Sequence, residues 1–170
     1  FSSLRSGNAM QVWVANADGS APEQITHGHG PFQGDQSWSP DGGQIAFESL
    51  GPDGHPHIWT VDSEGGTPRQ ITKDPGDQMA PTWSRDGGWI YYSWSRGTDR
   101  DIWRTQIQTG SNERVTHGGG FIAQESFDGA MLLYIPKAAF SPLMATKCEP
   151  VTSQPSDRTM CGVTGTTGCR

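Results

Sequence analysis

Apolar and polar positions along this chain recur in short alternating runs, and no segment shows the 3.6-residue stripe of an amphipathic helix. The organising stretch is Trp38-Ser39-Pro40-Asp41-Gly42-Gly43-Gln44-Ile45-Ala46-Phe47. It returns 45 residues later as Trp83-Ser84-Arg85-Asp86-Gly87-Gly88-Trp89-Ile90-Tyr91-Tyr92, and a weaker copy is Glu125-Ser126-Phe127-Asp128-Gly129-Ala130-Met131-Leu132-Leu133-Tyr134. Each copy reads as a short strand, an Asp-Gly turn and a second, apolar strand. In such a turn Asp bonds the nearby backbone and Gly accepts positive φ. Turn chemistry thus accounts for Asp41, Gly42, Asp86, Gly87, Asp128 and Gly129 without any ligand.

Other positions repeat in the same register. Phe1 and Phe47, Trp13 and Trp59, and Ile25 and Ile71 are each 46 residues apart. A period near 45 residues, built of short strands, points to propeller blades. Labelling the strands of a blade a to d from axis to rim, one blade has strands at about 35–39, 44–49, 57–62 and 67–72. The next has them at about 80–84, 88–94, 101–106 and 112–116. The chain opens on strands b, c and d of a preceding blade, and the register makes Phe1 a truncation point. It continues into strands a and b of a last blade, at about 121–126 and 130–136. Ser95-Arg96-Gly97-Thr98-Asp99 and Gly51-Pro52-Asp53-Gly54 read as longer b–c loops. Ile58-Trp59-Thr60-Val61 is apolar on both faces, as a strand between two neighbouring blades must be.

The fold class is therefore all-β: a partial β-propeller of four-stranded antiparallel blades. It forms an open arc of two complete and two incomplete blades, since a three-blade ring would curve too tightly. The propeller spans 1–137, with blade pieces at about 1–26, 35–72, 80–116 and 121–137. After Lys137 the pattern fails, and residues 138–170 are rich in Thr, Ser, Pro and Cys. They read as an irregular or disordered tail, as spurious sequence from a lost reading frame near Leu143, or as a small separate module.

Composition sharpens this picture. Hydrophobic residues make up only 32%, while 23 Gly, 12 Pro and seven Trp suit many short strands whose layers are filled by a few large aromatics. Trp13, Trp59 and Trp103 share a register in strand c, and Trp38 and Trp83 share one in strand a; both sets read as core. The net charge is -6 and there is no basic stripe, which disfavours nucleic-acid binding by this segment. No apolar 18-mer suggests membrane insertion. Cys148, Cys161 and Cys169 match no zinc module and no disulfide framework. The compartment is not fixed by the sequence, with periplasm or cell envelope favoured over cytoplasm.

The repeats resemble the WD-type propeller repeats of the TolB family, in which a Trp-Ser-Pro-Asp-Gly turn precedes an apolar strand and an Ile-Trp strand follows. The run from Gly118 to Tyr134 resembles the closing blades of bacterial sensor or regulator proteins. That resemblance implies a winged-helix or kinase domain upstream. Phe127 stands where the repeat usually has proline. The same repeat also builds the propellers of prolyl-oligopeptidase-like peptidases, whose catalytic domain this chain lacks.

Enzymatic signatures are missing from the sequence. There is no G-x-S-x-G elbow, no phosphate-binding G-x-x-x-x-G-K-[ST], no H-E-x-x-H and no EF-hand loop. His27, His29 and His55 fall on loops that emerge at one end of the blades, with Asp53 or Asp35 as available oxygen ligands for zinc. Lys73 in register with His27 marks a generic polar position instead, so neither a metal nor a cofactor is expected. Trp89 and Trp94 break the register, standing where other copies have Gln44 and Ser49. Together with His27, His29 and His55 they are the candidate partner surface, the alternatives being burial between blades for the tryptophans and ordinary loop polarity for the histidines.

These features imply a non-enzymatic scaffold for protein interaction or ligand sensing in a bacterial signalling or envelope protein. The expected partner is another protein or domain, and the exposed blade faces would self-associate in isolation. The alternative is the substrate-gating propeller of a prolyl-oligopeptidase-like hydrolase. A far-UV circular dichroism spectrum should be that of β-sheet, and a spectrum dominated by helix would rule out the propeller.

Overall fold

A computed structural model describes residues 1–28 and 30–137 and, as backbone, 147–149. The described residues form β-strands joined by turns, with no α-helix among them. The first sheet holds β1 (Ser2–Ser3), β2 (Gln11–Val14) and β3 (Glu23–Gln24). The second holds β4 (Gln33–Trp38), β5 (Gln44–Leu50), β6 (Pro56–Asp62) and β7 (Arg69–Gln70). The third holds β8 (Asp77–Trp83), β9 (Trp89–Arg96), β10 (Asp99–Gln106) and β11 (Asn112–Arg114). The last holds β12 (Phe121–Glu125), β13 (Leu132–Ile135) and β14 (Lys147–Glu149). All pairings are antiparallel meanders in chain order, so this is an open, partial propeller with two four-stranded and two three-stranded sheets.

Several boundaries differ from those read off the sequence. Strand a starts earlier, at Gln33 and Asp77, because a bulge lets it bend and go on pairing. The outer strands β7 and β11 are shorter than expected, at two and three residues. Residues 95–99 are a tight hairpin and not a long loop: Arg96 pairs with Asp99 across Gly97, whose φ is 65°. β14 lies within the segment read as irregular and takes the strand c position on β13.

The core lies between sheets. Val12, Ile25, Ile45, Phe47 and Val61 fill the first interface. Ala46, Ile58, Trp83, Ile90, Tyr92 and Trp94 fill the second, and Tyr91, Ile102, Ala123, Leu132 and Tyr134 the third. The period of two explains this division: Ile45 and Phe47 face back to the preceding sheet, while Ala46 faces forward. Strand b therefore buries both faces.

Trp38 departs from the expected core role. It is 52% exposed, whereas its repeat partner Trp83 is 9% exposed. Trp83 lies against β4 of the preceding sheet, donating its indole N–H to the Ser37 carbonyl at 3.2 Å. Trp38 would need the same support from the first sheet, but in that sheet β1 is the innermost strand and nothing stands in the position of β4 or β8. A groove of about 430 Å³ remains there, lined by Phe1, Trp13, Val14, Trp38 and Ile45.

This difference is measurable by urea unfolding. Phe47→Ala, at a fully buried site, should cost about 3–5 kcal/mol. Trp38→Ala should cost about 0.5 kcal/mol or less, as at an ordinary surface position.

Candidate interaction surface

Strands alternate direction, so the a–b and c–d turns gather at one end of the blades and the b–c and d–a loops at the other. At the turn end the Ser-x-Asp-Gly motif forms the same closed network three times. The Ser39 hydroxyl donates to Asp41 at 2.6 Å, the Gly43 amide donates to the same carboxylate at 3.0 Å, and the Gln44 amide donates to the Ser39 oxygen at 2.9 Å. Ser84, Asp86, Gly88 and Trp89 repeat it, as do Ser126, Asp128, Ala130 and Met131. Gly42, Gly87 and Gly129 hold φ of 72°, 70° and 68°, the left-handed region that glycine enters without strain. The bonds from Ser39 and Ser84, followed by those from Gly43 and Gly88, hold the Asp41 and Asp86 carboxyls below their usual range. Both side chains are therefore anionic at neutral pH.

A second recurrent network went unrecognised in the sequence. Thr26, Thr72 and Thr116 lie two residues beyond the outer strands β3, β7 and β11 and are all buried. Each hydroxyl accepts from a strand c amide, that of Val12, Ile58 or Ile102, at 2.9–3.0 Å. One residue earlier in strand c stand three different buried polar groups, Gln11, His57 and Asp101. Thr26 also donates to Gln11 and contacts Gln33 of the next sheet. Asp101 accepts from Arg114 at 2.6 Å and from the Gly119 amide at 3.0 Å. The signal was the fixed register of the threonines; what hid it was the variety of their partners.

At the loop end, His57 presents Nδ1 to the Gln78 side-chain oxygen at 2.6 Å and Nε2 to Asp53 at 3.0 Å. Gln78 is oriented by donating its own amide to the Asp74 carbonyl at 2.7 Å. His55 is exposed and pairs with Asp77 of the next sheet at 2.7 Å. Its hydrogen bond to Asp77 raises its pKa above the ordinary 6.5. Glu48 is buried and accepts the Ala80 amide at 3.0 Å; desolvation pushes its carboxyl up. Nearby, Lys137 and Arg100 line a cleft of about 220 Å³ with Phe121, Thr98 and Gly120.

The five residues read as partner surface fall in different places. Trp94 is a correction: it is 5% exposed, packs edge-on against Trp103 with ring centroids 4.7 Å apart, and donates to the Pro75 carbonyl at 3.0 Å. It fills the interface between the second and third sheets and offers no outward surface. Trp89 is half-buried under the Arg104 guanidinium, 4.2 Å from the ring centroid. His27 is exposed, His55 is held by Asp77, and His29 lies outside the described residues. Among the described residues no three His, Cys, Asp or Glu side chains gather with a spacing that could hold a metal ion.

Four-stranded antiparallel sheets stacked about one axis, each closed by the same inner turn, define a β-propeller. The chain belongs to the TolB beta propeller domain family, whose family model matches residues 33–149. Among solved structures it is similar to TolB from Acinetobacter baumannii, with 24% identity and a TM-score of 0.73 over 90% of this chain and 38% of that one. It is also similar to a putative TolB from Agrobacterium tumefaciens, with 26% identity and a TM-score of 0.72 over 90% of this chain and 58% of that one. A nidogen/laminin complex shares the fold alone, at 11% identity and a TM-score of 0.63 over 75% of this chain and 49% of that one. The chain thus spans less than two thirds of the length of either TolB chain. No curated protein matches it. No helix among the described residues is long and apolar enough to cross a membrane.

The His55–Asp77 pair has a defined pH signature. A raised histidine pKa means that the pair's contribution is complete below pH 6.5 and is lost as pH rises through the higher folded value. The difference in Tm between the native chain and His55→Ala should be present in mild acid and should vanish at alkaline pH. A gap that instead grows with pH would contradict the assignment.

Proposed function

We propose that this propeller is a non-enzymatic scaffold for protein interaction in a bacterial signalling or envelope protein. One observation carries the reading. The polar side chains that recur at fixed register are spent on turn closure and on joining blades, while the aromatic Phe127 stands outward from its turn. The arrangement suits contact with another macromolecule better than transformation of a small one. Similarity to TolB chains from two bacteria supports the bacterial setting, and the nidogen/laminin structure is an instance of this fold in a protein complex. The finer resemblance to winged-helix- or kinase-linked regulators rests on the run 118–134 alone. In isolation, the two ends of the arc are the faces that self-associate, with Phe1, Leu4 and Trp38 at one and Ile122 and Leu133 at the other.

The test joins the flanking coding sequence to a peptidase assay of the native polypeptide. The scaffold expects no hydrolysis of proline-containing peptides and no in-frame G-x-S-x-G elbow. Hydrolysis, or an in-frame α/β-hydrolase segment, would make the propeller the substrate gate of an oligopeptidase-like enzyme instead.

A further inference from the structure

Across the turn end, charge and apolar exposure coincide. Phe127 is 91% exposed. Pro40, Arg85 and Phe127 occupy the same place in the three Ser-x-Asp-Gly turns, so they line the axial mouth side by side. Between the first two turns and the third lies a cleft of about 140 Å³, lined by Trp38, Pro40, Trp83, Arg85 and Glu125. A cavity of about 150 Å³ holds a benzene molecule, so the cleft has room for one aliphatic side chain of leucine size.

Around this apolar centre the turns carry Asp18, Asp41, Asp62, Glu64, Asp86 and Asp128, all exposed. Arg85 is partly committed at home. Its amide donates to Glu125 at 2.8 Å, its Nε donates to the Ser126 carbonyl at 3.2 Å, and its guanidinium lies 5.6 Å from the Phe127 ring centroid. Arg104 is bound to Glu113 at 2.6 Å, and exposed Arg69 and the Phe1 amino group are further cations near this end among the described residues. The face is therefore negative on balance, in keeping with the chain's net charge of -6. The loop end differs, with Lys73, Arg96, Arg100 and Lys137 set among its acids.

We propose that the turn end is the docking surface, and that its occupant is a protein segment in which lysine or arginine alternates with large apolar side chains. This rests on the scaffold reading and names the side of the scaffold that is used. An apolar side chain enters the cleft between Trp38 and Arg85, and another covers Phe127. The partner's cations face the turn carboxylates, and they also suit the open face of Phe127 by cation–π attraction. The field of an acidic face speeds the approach of such a segment, and apolar burial then sets its residence time. Charge complementarity excludes an acidic segment as the favoured occupant.

The experiment titrates the isotope-labelled chain with a short peptide of alternating Lys and Leu. Parallel titrations use alternating Glu and Leu, and alternating Lys and Ser. The Lys–Leu peptide should shift the Trp38 indole resonance and the Gly42, Gly87 and Gly129 amides, with affinity falling as salt rises. Phe127→Ser and Glu64→Gln, both at exposed positions that leave the core intact, should each weaken it, the first by about fivefold or more. Equal binding of the Glu–Leu peptide, or no loss in Phe127→Ser, would overturn the proposal. So would shifts at His55 and Lys137 instead, although the scaffold reading would then stand with its face reassigned. Concentration-dependent self-association that buries Phe127 and excludes the peptide would show that a second copy is the occupant, which also overturns it. Peptidase activity in the native polypeptide would remove the scaffold reading itself.

Discussion

The second and third sheets have their middle strands buried from both sides, and that double burial is the constraint from which the rest follows. A strand such as β9 sends Ile90, Tyr92 and Trp94 back to one sheet and Tyr91 forward to another. No single sheet could bury both sets alone, so stability comes from stacking sheets in series. The same constraint explains why neighbours decide exposure. Trp83 and Trp38 have the same place in the repeat, and only the one backed by an inner strand is buried.

Stacking sheets face to face leaves backbone amides at their ends that water cannot reach, and the polar networks serve those amides. The threonine just beyond β3, β7 and β11 takes a strand c amide, and a variable polar residue, Gln11, His57 or Asp101, stands beside the joint. An unpaired buried amide costs about 1–3 kcal/mol, which accounts for the fixed threonine beside a free choice of partner. The apolar interfaces supply most of the energy, and these joints supply the register.

The repeated Asp-Gly turn, the inner apolar strands and the all-β class were legible in the sequence because local chemistry fixes them. Turn residues and period-two alternation act over a few neighbours, and the copies report on one another. What depended on distant neighbours was not legible. Trp94 stands out as an aromatic in a polar register, which leaves partner surface and burial between blades both open; the structure tucks it under Pro75 and against Trp103. Trp38 was read as core because its register matched that of Trp83, although its own neighbour sheet has no inner strand to cover it. The asymmetry between the two ends of the blades was hidden as well. Asp18, Asp62 and Asp128 are far apart along the chain and come to one end only once the strands alternate.

Strands β4, β8 and β12 each also carry a bulge in which one non-glycine residue, Asp35, Ala80 or Ile122, adopts a positive φ of 47°, 54° or 50°. Left-handed backbone is unfavourable for such residues, most of all for a β-branched one like Ile122, so the surrounding sheet must impose it. The bend is written in the main chain and tolerates an acid, a methyl group or a branched hydrocarbon alike. Curvature is thus inherited separately from side-chain identity. A gene that duplicates this unit gains another correctly angled wedge at once, and the copies can then drift apart in chemistry without unbending the ring they help to build.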